Sequence, residues 1–430
     1  MTLRRRLLTL TAVTLLAAST EAVTFNVDST LDEPDALPGD GLCVSTPSGV
    51  CTLRAAIIEA NQDVALDIIN LEAETYTLTV TGPDEDAADT GDLDILAPLT
   101  IIGAGTASTI IDAAGIDRVF HVLSGEVDLT LDTLTVRGGS AVTSSSPRGG
   151  GALHEGRNLW LTRVRLTGNV ANSGGGLWVR SVSHASIQES TIDNNEAVAA
   201  GFTNPFGPAI TSNGSLSLVS STVSGNTAVS WGYSSIYAPG GTGNTLQFIN
   251  STIANNNGGG IGSWNFNMLL RHVTIVGNDG RGLSFGSYDD SHTLDVGNSI
   301  ISDNEAGDCL VGSGLPTFQN SLDGDDSCGL SALAGDLPAT DPQLLPLRNW
   351  GGSTHTMYPK PGSSPVIDAG AGGAVCQAQD QRYHDRGNDG NDDGQAGCDI
   401  GAVEADDLIF FDDLETGDTG EWSFASGVVP

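Results

Sequence analysis

The chain has 430 residues, of which 16% are charged and 5% aromatic, and it contains 56 glycines. Its net charge is −36 and Lys360 is its only lysine. Such a surface repels phosphate backbones, which excludes direct nucleic-acid binding, and attracts cations. The composition suits a turn-rich β protein, and the regular apolar columns described below exclude a disordered chain.

Residues 1–22 read as a secretory signal. Arg4, Arg5 and Arg6 precede a short apolar run from Leu7 to Ala18, and Ser19 or Ala22 offers a cleavage point. No later stretch is long and apolar enough for a transmembrane helix, so the expected location is extracellular or at the cell surface. Six cysteines fit an oxidising compartment. They fall into three local pairs, Cys43 with Cys51, Cys309 with Cys328 and Cys376 with Cys398. Fifteen connectivities are formally open, and nearest-neighbour pairing is the economical one. None of the pairs has Cys-x-x-Cys spacing, so structural staples are expected in place of a zinc or redox site.

Residues 23–97 form a first module. Phe25 and Val27 alternate with polar residues as in a strand. Residues 51–62 have helical spacing, with Leu53, Ala56, Ile57 and Ala60 on one face and Thr52 as the cap. Arg54 and Glu59 are expected on a solvated helix face, joined by one salt bridge. The runs PGDGLC (Pro38 to Cys43) and CTLRAAIIEAN (Cys51 to Asn61) closely resemble the CSLREA domain at the front of secreted bacterial β-helix proteins. The resemblance implies an all-β protein, a right-handed parallel β-helix of pectate-lyase-like type, with this short helix capping its open N-terminal end.

Residues 98–336 carry the repeat that such a fold needs. Seven copies recur at intervals of 22 to 31 residues. The first apolar column is Leu129, Leu159, Ala185, Leu216, Leu246, Met268 and Leu294. The second lies two residues on, and the third is Val136, Leu166, Ile192, Val223, Ile253, Ile275 and Ile301. A repeat this short cannot bury its own core and must stack on its neighbours. At a spacing of about 4.8 Å, nine or ten rungs would make a rod about 45 Å long. Three residues after the third column stand Gly139, Asn169, Asn195, Asn226, Asn256, Asn278 and Asn304. Asn tolerates left-handed backbone, and stacked amides can bond from rung to rung, so this column reads as a structural ladder.

Residues 337–405 read as an irregular, disulfide-stapled C-terminal cap. Asp341-Pro342, Asn349 to Gly352, Ser364-Pro365, Ile367-Asp368 and Cys398 to Glu404 resemble the choice-of-anchor Q region of the same secreted proteins. Asp380-Gln381-Arg382-Tyr383 stands where that region carries Asp-Gln-Arg-Gly. Residues 406–430 form an acidic tail without a sortase-type motif.

The fold that the resemblance implies serves polysaccharide enzymes, adhesins and passive spikes alike, so chemistry must be read from side chains. A lyase needs converging carboxylates for calcium, and a hydrolase needs a carboxylate pair at a set separation. The columns flanking the third apolar column hold one acid, Asp193, on the far side, and Thr135, Arg165, Thr191, Thr222, Thr252 and Thr274 on the near side. No column stacks carboxylates on neighbouring rungs. Arg163, Arg165 and Arg180 with Trp160 and Trp178 offer either a patch for acidic sugars or a solvated face beside packed indoles. His121, His154, His184 and His272 lack metal-ligand spacing. Asp389, Asn391 and Asp393, followed by Gly394, match the opening of a calcium loop, with Ile400 where the bidentate Glu belongs. Asp399 or Glu404 would have to complete a Ca²⁺ site, which otherwise reads as a polar turn. The expectation is an exported scaffold, non-catalytic and adhesin-like, whose partner is a polysaccharide or cell-surface glycan. A polysaccharide lyase or glycoside hydrolase is the alternative, and a structural envelope component the third reading.

Overall fold

The computed structural model describes residues 21–82, 84–199, 205–228, 233–241 and 243–405. Residues 1–20 of the stretch expected to be a signal, 1–22, and the 406–430 tail lie outside the described residues. The fold is an all-β parallel solenoid with three faces. The first face runs in register from Thr24–Asn26 through Asp67–Asn70 and Leu99–Ile102 to Leu315–Gln319. The second runs from Thr75–Thr77 to Leu322–Asp323. The third is a nine-stranded ribbon from Leu93–Ile95 to Cys309–Val311. The three apolar columns of the repeat point inward and are almost fully buried, as are Phe120, Leu177, Ile236 and Leu283 of the third face. Alternation within each short strand therefore sends one residue in and the next out.

Two kinds of corner turn the chain. Between the first and second faces stand Thr133, Arg163, Glu189, Ser220, Asn250, His272, Asn298 and Asn320, all left-handed with φ of 46 to 58°. Beyond the second face a second left-handed residue precedes each ladder position: Gly138, Gly168, Asn194, Gly225, Asn255, Gly277 and Asp303. The left-handed conformation thus belongs to the residue before the ladder Asn, not to the Asn itself, which corrects the first reason given for that column. The second reason is what the bonding shows. Each backbone N–H and each Nδ2 from Asn169 through Asn195, Asn226, Asn256, Asn278 and Asn304 donates to the next Oδ1 at 2.8–3.2 Å. Asn304 makes its pair of bonds to Asp308, which stands where another Asn would.

A second ladder was not read from the sequence. Ser190, Ser221 and Ser251, and further on Ser299 and Ser321, follow the first corner and are buried. Each hydroxyl oxygen of Ser190, Ser221 and Ser251 accepts the backbone N–H of the preceding rung, at 3.0–3.2 Å. Ser299 and Ser321 repeat the contact at 3.1 and 3.3 Å, and Asp336 accepts from Ser321 at 2.9 Å.

Thr52 caps the helix Leu53–Ala60 by accepting from Ala55 N–H. All eight helical residues are buried, because the loop before the helix covers its outer side. The expected solvated face is therefore corrected. Arg54 is fully buried, its Nε lies 2.6 Å from Asp32, and its Nη atoms donate to the carbonyls of Ala88, Gly91 and Asp92. Glu59 accepts from the N–H groups of Gly39 and Gly41. These are the contacts made by the PGDGLC and CTLRAAIIEAN residues, and Cys43 is disulfide-bonded to Cys51. The other disulfides are Cys309–Cys328 and Cys376–Cys398.

The C-terminal region covers the end of the coil only with its first residues, where Leu337 N–H donates to Ser321 O and Asp323 N–H to Leu337 O, and the rest of it turns back. It lies as a strap along the first corner and the second face. Thr354 Oγ1 donates to Ser220 O, Asn250 Nδ2 to Gln379 O, and Ala402 N–H to Thr274 Oγ1. Asn298 exchanges two bonds with Ala371, and Asn320 donates to Ala369 O. Gln381 is buried; it donates to Thr222 Oγ1 and accepts from Thr252 Oγ1 at 2.7 Å. Beneath it, Arg386 and Glu404, both fully buried, pair at 3.2 Å. Burial pushes Asp399 up to about 8, helped by the Glu404 charge beside it.

Candidate functional site

The third face presents one outward residue per rung. In register these are Asp94, His121, Leu153, Trp178, Thr211, Tyr237, Gly262, Ser284 and Leu310. Two features stand on this line, an acidic pocket at its start and an aromatic groove toward its end.

The groove has a volume of about 810 Å³. Tyr233, Tyr237 and Trp264 wall it, Gly262 and Ser284 lie in its floor, and Asp279, Arg281 and Glu305 line it further on. Gly262 is needed there, since a Cβ would meet Ser234 Oγ at 2.5 Å. The rings hold one another in place. Phe206 packs on Tyr233 and Tyr237 with centroids 5.5 and 5.4 Å away, and Trp264 stacks on the exposed Tyr288 at 6.0 Å. Burial raises the Tyr237 phenol, so it stays a neutral hydrogen-bonding hydroxyl. Flat apolar faces with polar tips and a few charged groups suit a ligand that is itself amphipathic, such as a sugar ring.

The acidic pocket encloses about 180 Å³ between Asp84, Asp86, Asp92, Arg118, His121 and Glu155. Asp94 is fully buried behind it; its Oδ2 accepts Ala88 N–H, and its Oδ1 faces His121 Nδ1 at 3.2 Å. Arg118 donates to Ser144 Oγ, and its Nε lies 3.4 Å from Asp92. Burial pushes Asp92 up to about 8, with the Asp94 charge adding to it. Burial also raises Asp117. Asp84 is held low by the hydroxyl of Ser144.

The other sequence candidates are placed apart. Trp160 stands on the first face and Trp178 on the third, so the suggested arginine–tryptophan patch is not assembled. Arg163 pairs with Asp132 and Arg165 with Asp193, while Arg148 covers the Trp178 ring at 4.9 Å. Asp389, Asn391 and Asp393 lie in an exposed turn of the strap. Asp389 accepts from the N–H groups of Asp393 and Gly394, and Asn391 from Asp393. Asp399 and Glu404, named as completing ligands, are buried and accept N–H groups of the strap itself. His154 is buried, which lowers it to about 4. His272 is buried against Gly401 O and held well below its usual range. The acidic pocket escaped the sequence reading because its column begins before residue 129 and lies on the third face. Tabulating LDI, FHV, ALH and LWV as one column would have put Asp94 beside His121.

Against solved structures, the chain is similar to the crystal structure of pectate lyase Pel9A, with 13% identity, a TM-score of 0.52, and coverage of 91% of this chain and 98% of that one. At that identity the likeness shows the fold, a pectate-lyase-like parallel β-helix. No family model matches the chain, and no curated protein matches it. Among the described residues no helix is long and apolar enough to cross a membrane.

Proposed function

We propose that this chain is an exported glycan-binding β-helix of the CSLREA and choice-of-anchor Q kind, and that a polysaccharide lies in the groove of the third face. The observation that carries the reading is the set of Tyr233, Tyr237 and Trp264 over the Gly262 floor. A net charge of −36 favours a neutral glycan over a polyanionic one. Export is supported by the signal-like first 22 residues and by the three disulfides. A second reading, a polysaccharide lyase or hydrolase, draws on the buried carboxylates beside His121 and on the shared fold with a pectate lyase.

The test is co-sedimentation of the purified chain from residue 23 onward with neutral glycans and polyuronates, with calcium or chelator, while following reducing ends and unsaturated-product absorbance. Retention on a neutral glycan is expected, weakened about tenfold or more by Trp264→Ala or Tyr237→Ala, without new ends. Turnover abolished by Asp94→Asn would replace this reading with the enzymatic one.

A further inference from the structure

Three groups of side chains among the described residues have metal-like convergence. In the first, His272 meets Cys376 and Cys398, whose sulfurs are already joined to each other. The second is Asp308, Asp323 and Asp325 near the end of the coil. There the carboxylates already receive hydrogen bonds: Asp308 from Asn304 and Gly324, Asp323 from Asp325 and Cys328, Asp325 from Asp308 and Ser327. The sulfurs of the first group are spent in the disulfide, and every carboxylate oxygen of the second already accepts a hydrogen bond.

The third group differs. Asp86, Asp94 and His121 bring one ligand atom each within 4.8 Å of the others. Asp94 and His121 are register partners on adjacent rungs, so the stacking of the coil itself sets their approach. Asp94 is fully buried, yet its Oδ1 receives no hydrogen bond and faces His121 Nδ1 at 3.2 Å, while Asp92 Oδ2 lies against Arg118 Nε and His121 Nε2 turns away toward Glu155. Buried polar atoms are nearly always satisfied, and a fully buried carboxylate oxygen without a donor, aimed at an imidazole nitrogen, points to a missing partner. His121 Nδ1 lies 3.2 Å from Asp94 and 3.5 Å from Asp86, and its Nε2 lies 3.6 Å from Glu155. Ligands at about 2.1 Å from one tetrahedral ion stand roughly 3.4 Å apart, close to the first two of these separations.

We infer that Asp94, His121 and Asp86 form a binding site for a single divalent transition-metal ion of the Zn²⁺ type, at the N-terminal end of the face that carries the aromatic groove. The imidazole selects against calcium and magnesium, which take oxygen ligands. Two ligands are fixed by strands, and the third, Asp86, is exposed on a loop, where it can close over the ion. The pocket wall beyond His121 leaves room for a water or a hydroxyl in a remaining position. This site does not depend on the glycan reading.

The experiment is titration of the metal-stripped chain with Zn²⁺ by calorimetry, and with Co²⁺ by visible absorption. One saturable equivalent per chain is expected, with Co²⁺ bands intense enough to indicate four or five ligands. His121→Ala and the exposed-loop variant Asp86→Ala should each weaken Zn²⁺ about tenfold to a hundredfold or more. Asp325→Asn, in the second acidic group, should change nothing. A chain with no saturable equivalent, or one whose affinity is unchanged in Asp86→Ala and His121→Ala, overturns the assignment. Because Asp86 is exposed, its variant folds and keeps the test decisive even if a substitution at Asp94 or His121 does not.

Discussion

The corner between the first and second faces is built identically along the rod yet meets two surroundings. At Thr133 and Arg163 it faces solvent, and Arg163 reaches back to Asp132 in an open ion pair. At Ser220, Asn250, His272 and Asn298 the same left-handed backbone is buried, because the strap lies on it. The difference teaches that one backbone geometry supports either a solvated edge or a docking seam, and that side-chain chemistry decides which. Amides and an imidazole both donate and accept, so they can satisfy a covering chain. A long cation is better left in water.

The largest way to break that contrast is to unpair the buried ion pair under the strap. Arg386→Ala leaves the Glu404 charge buried and should cost the strap about 3–5 kcal/mol. Limited proteolysis should then cut within residues 353–405 while the circular dichroism of the coil persists. Loss of the whole fold would show that the strap is not separable. Next comes the ladder, which both regions share. Asn226→Ala leaves the N–H of Asn195 and one of its two Nδ2 hydrogens without a partner, the other staying on Leu166 O, for an expected loss of about 1–3 kcal/mol in denaturant unfolding.

A pH series sharpens the comparison further. Asp399 is held at about 8 and Asp323 at about 6 by burial, above their ordinary range near 3.8. Between the unfolded and folded values the folded chain keeps protons that the unfolded chain has released. Their stability contribution is therefore complete below about pH 4 and is lost as pH rises through 6 for Asp323 and through 8 for Asp399. Asp92, also near 8, adds to this loss, while the lowered His154 and His272 oppose it below about pH 6.5, so melting temperature should fall from pH 7 to pH 8.5 and proteolysis of the strap should speed up over that range. Asp399→Asn should flatten the upper part of the slope. The smallest effect belongs to the open edge, where Arg163→Ala should shift stability by about 0–1 kcal/mol.

Much of the coil was legible because its signals are local and repeated. The apolar columns and the Asn column each recur at a spacing that one rung imposes, and each cysteine pair is close in sequence. The strap was legible as a stretch of motif but not as a position. Gln381 and Arg382 announce themselves in sequence, yet their partners include Ser221 O, Thr222, Thr252 and Trp350 O, up to 160 residues away. The corner column gives little sign of itself in sequence, because Thr, Arg and Glu carry no left-handed preference; only the later Asn residues do. The acidic pocket was hidden for a different reason. Asp94 and His121 are one rung apart, but on a face whose column starts before the sevenfold repeat, and Asp86 comes from a loop that no interval reaches.

Both ladders finish on a carboxylate, Asp308 for the asparagines and Asp336 for the serines. An amide receives from one rung and gives to the next, so each step of the Asn line is an invitation to a further one. A carboxylate receives and has nothing to give. The coil thus ends with a chemical full stop written into each line, as well as with a covering turn. A rod of stacked parallel strands is otherwise open to growth by a second copy at its end. In this chain both carboxylates are buried, so each line closes inside the fold, beneath the turn that covers the last rung.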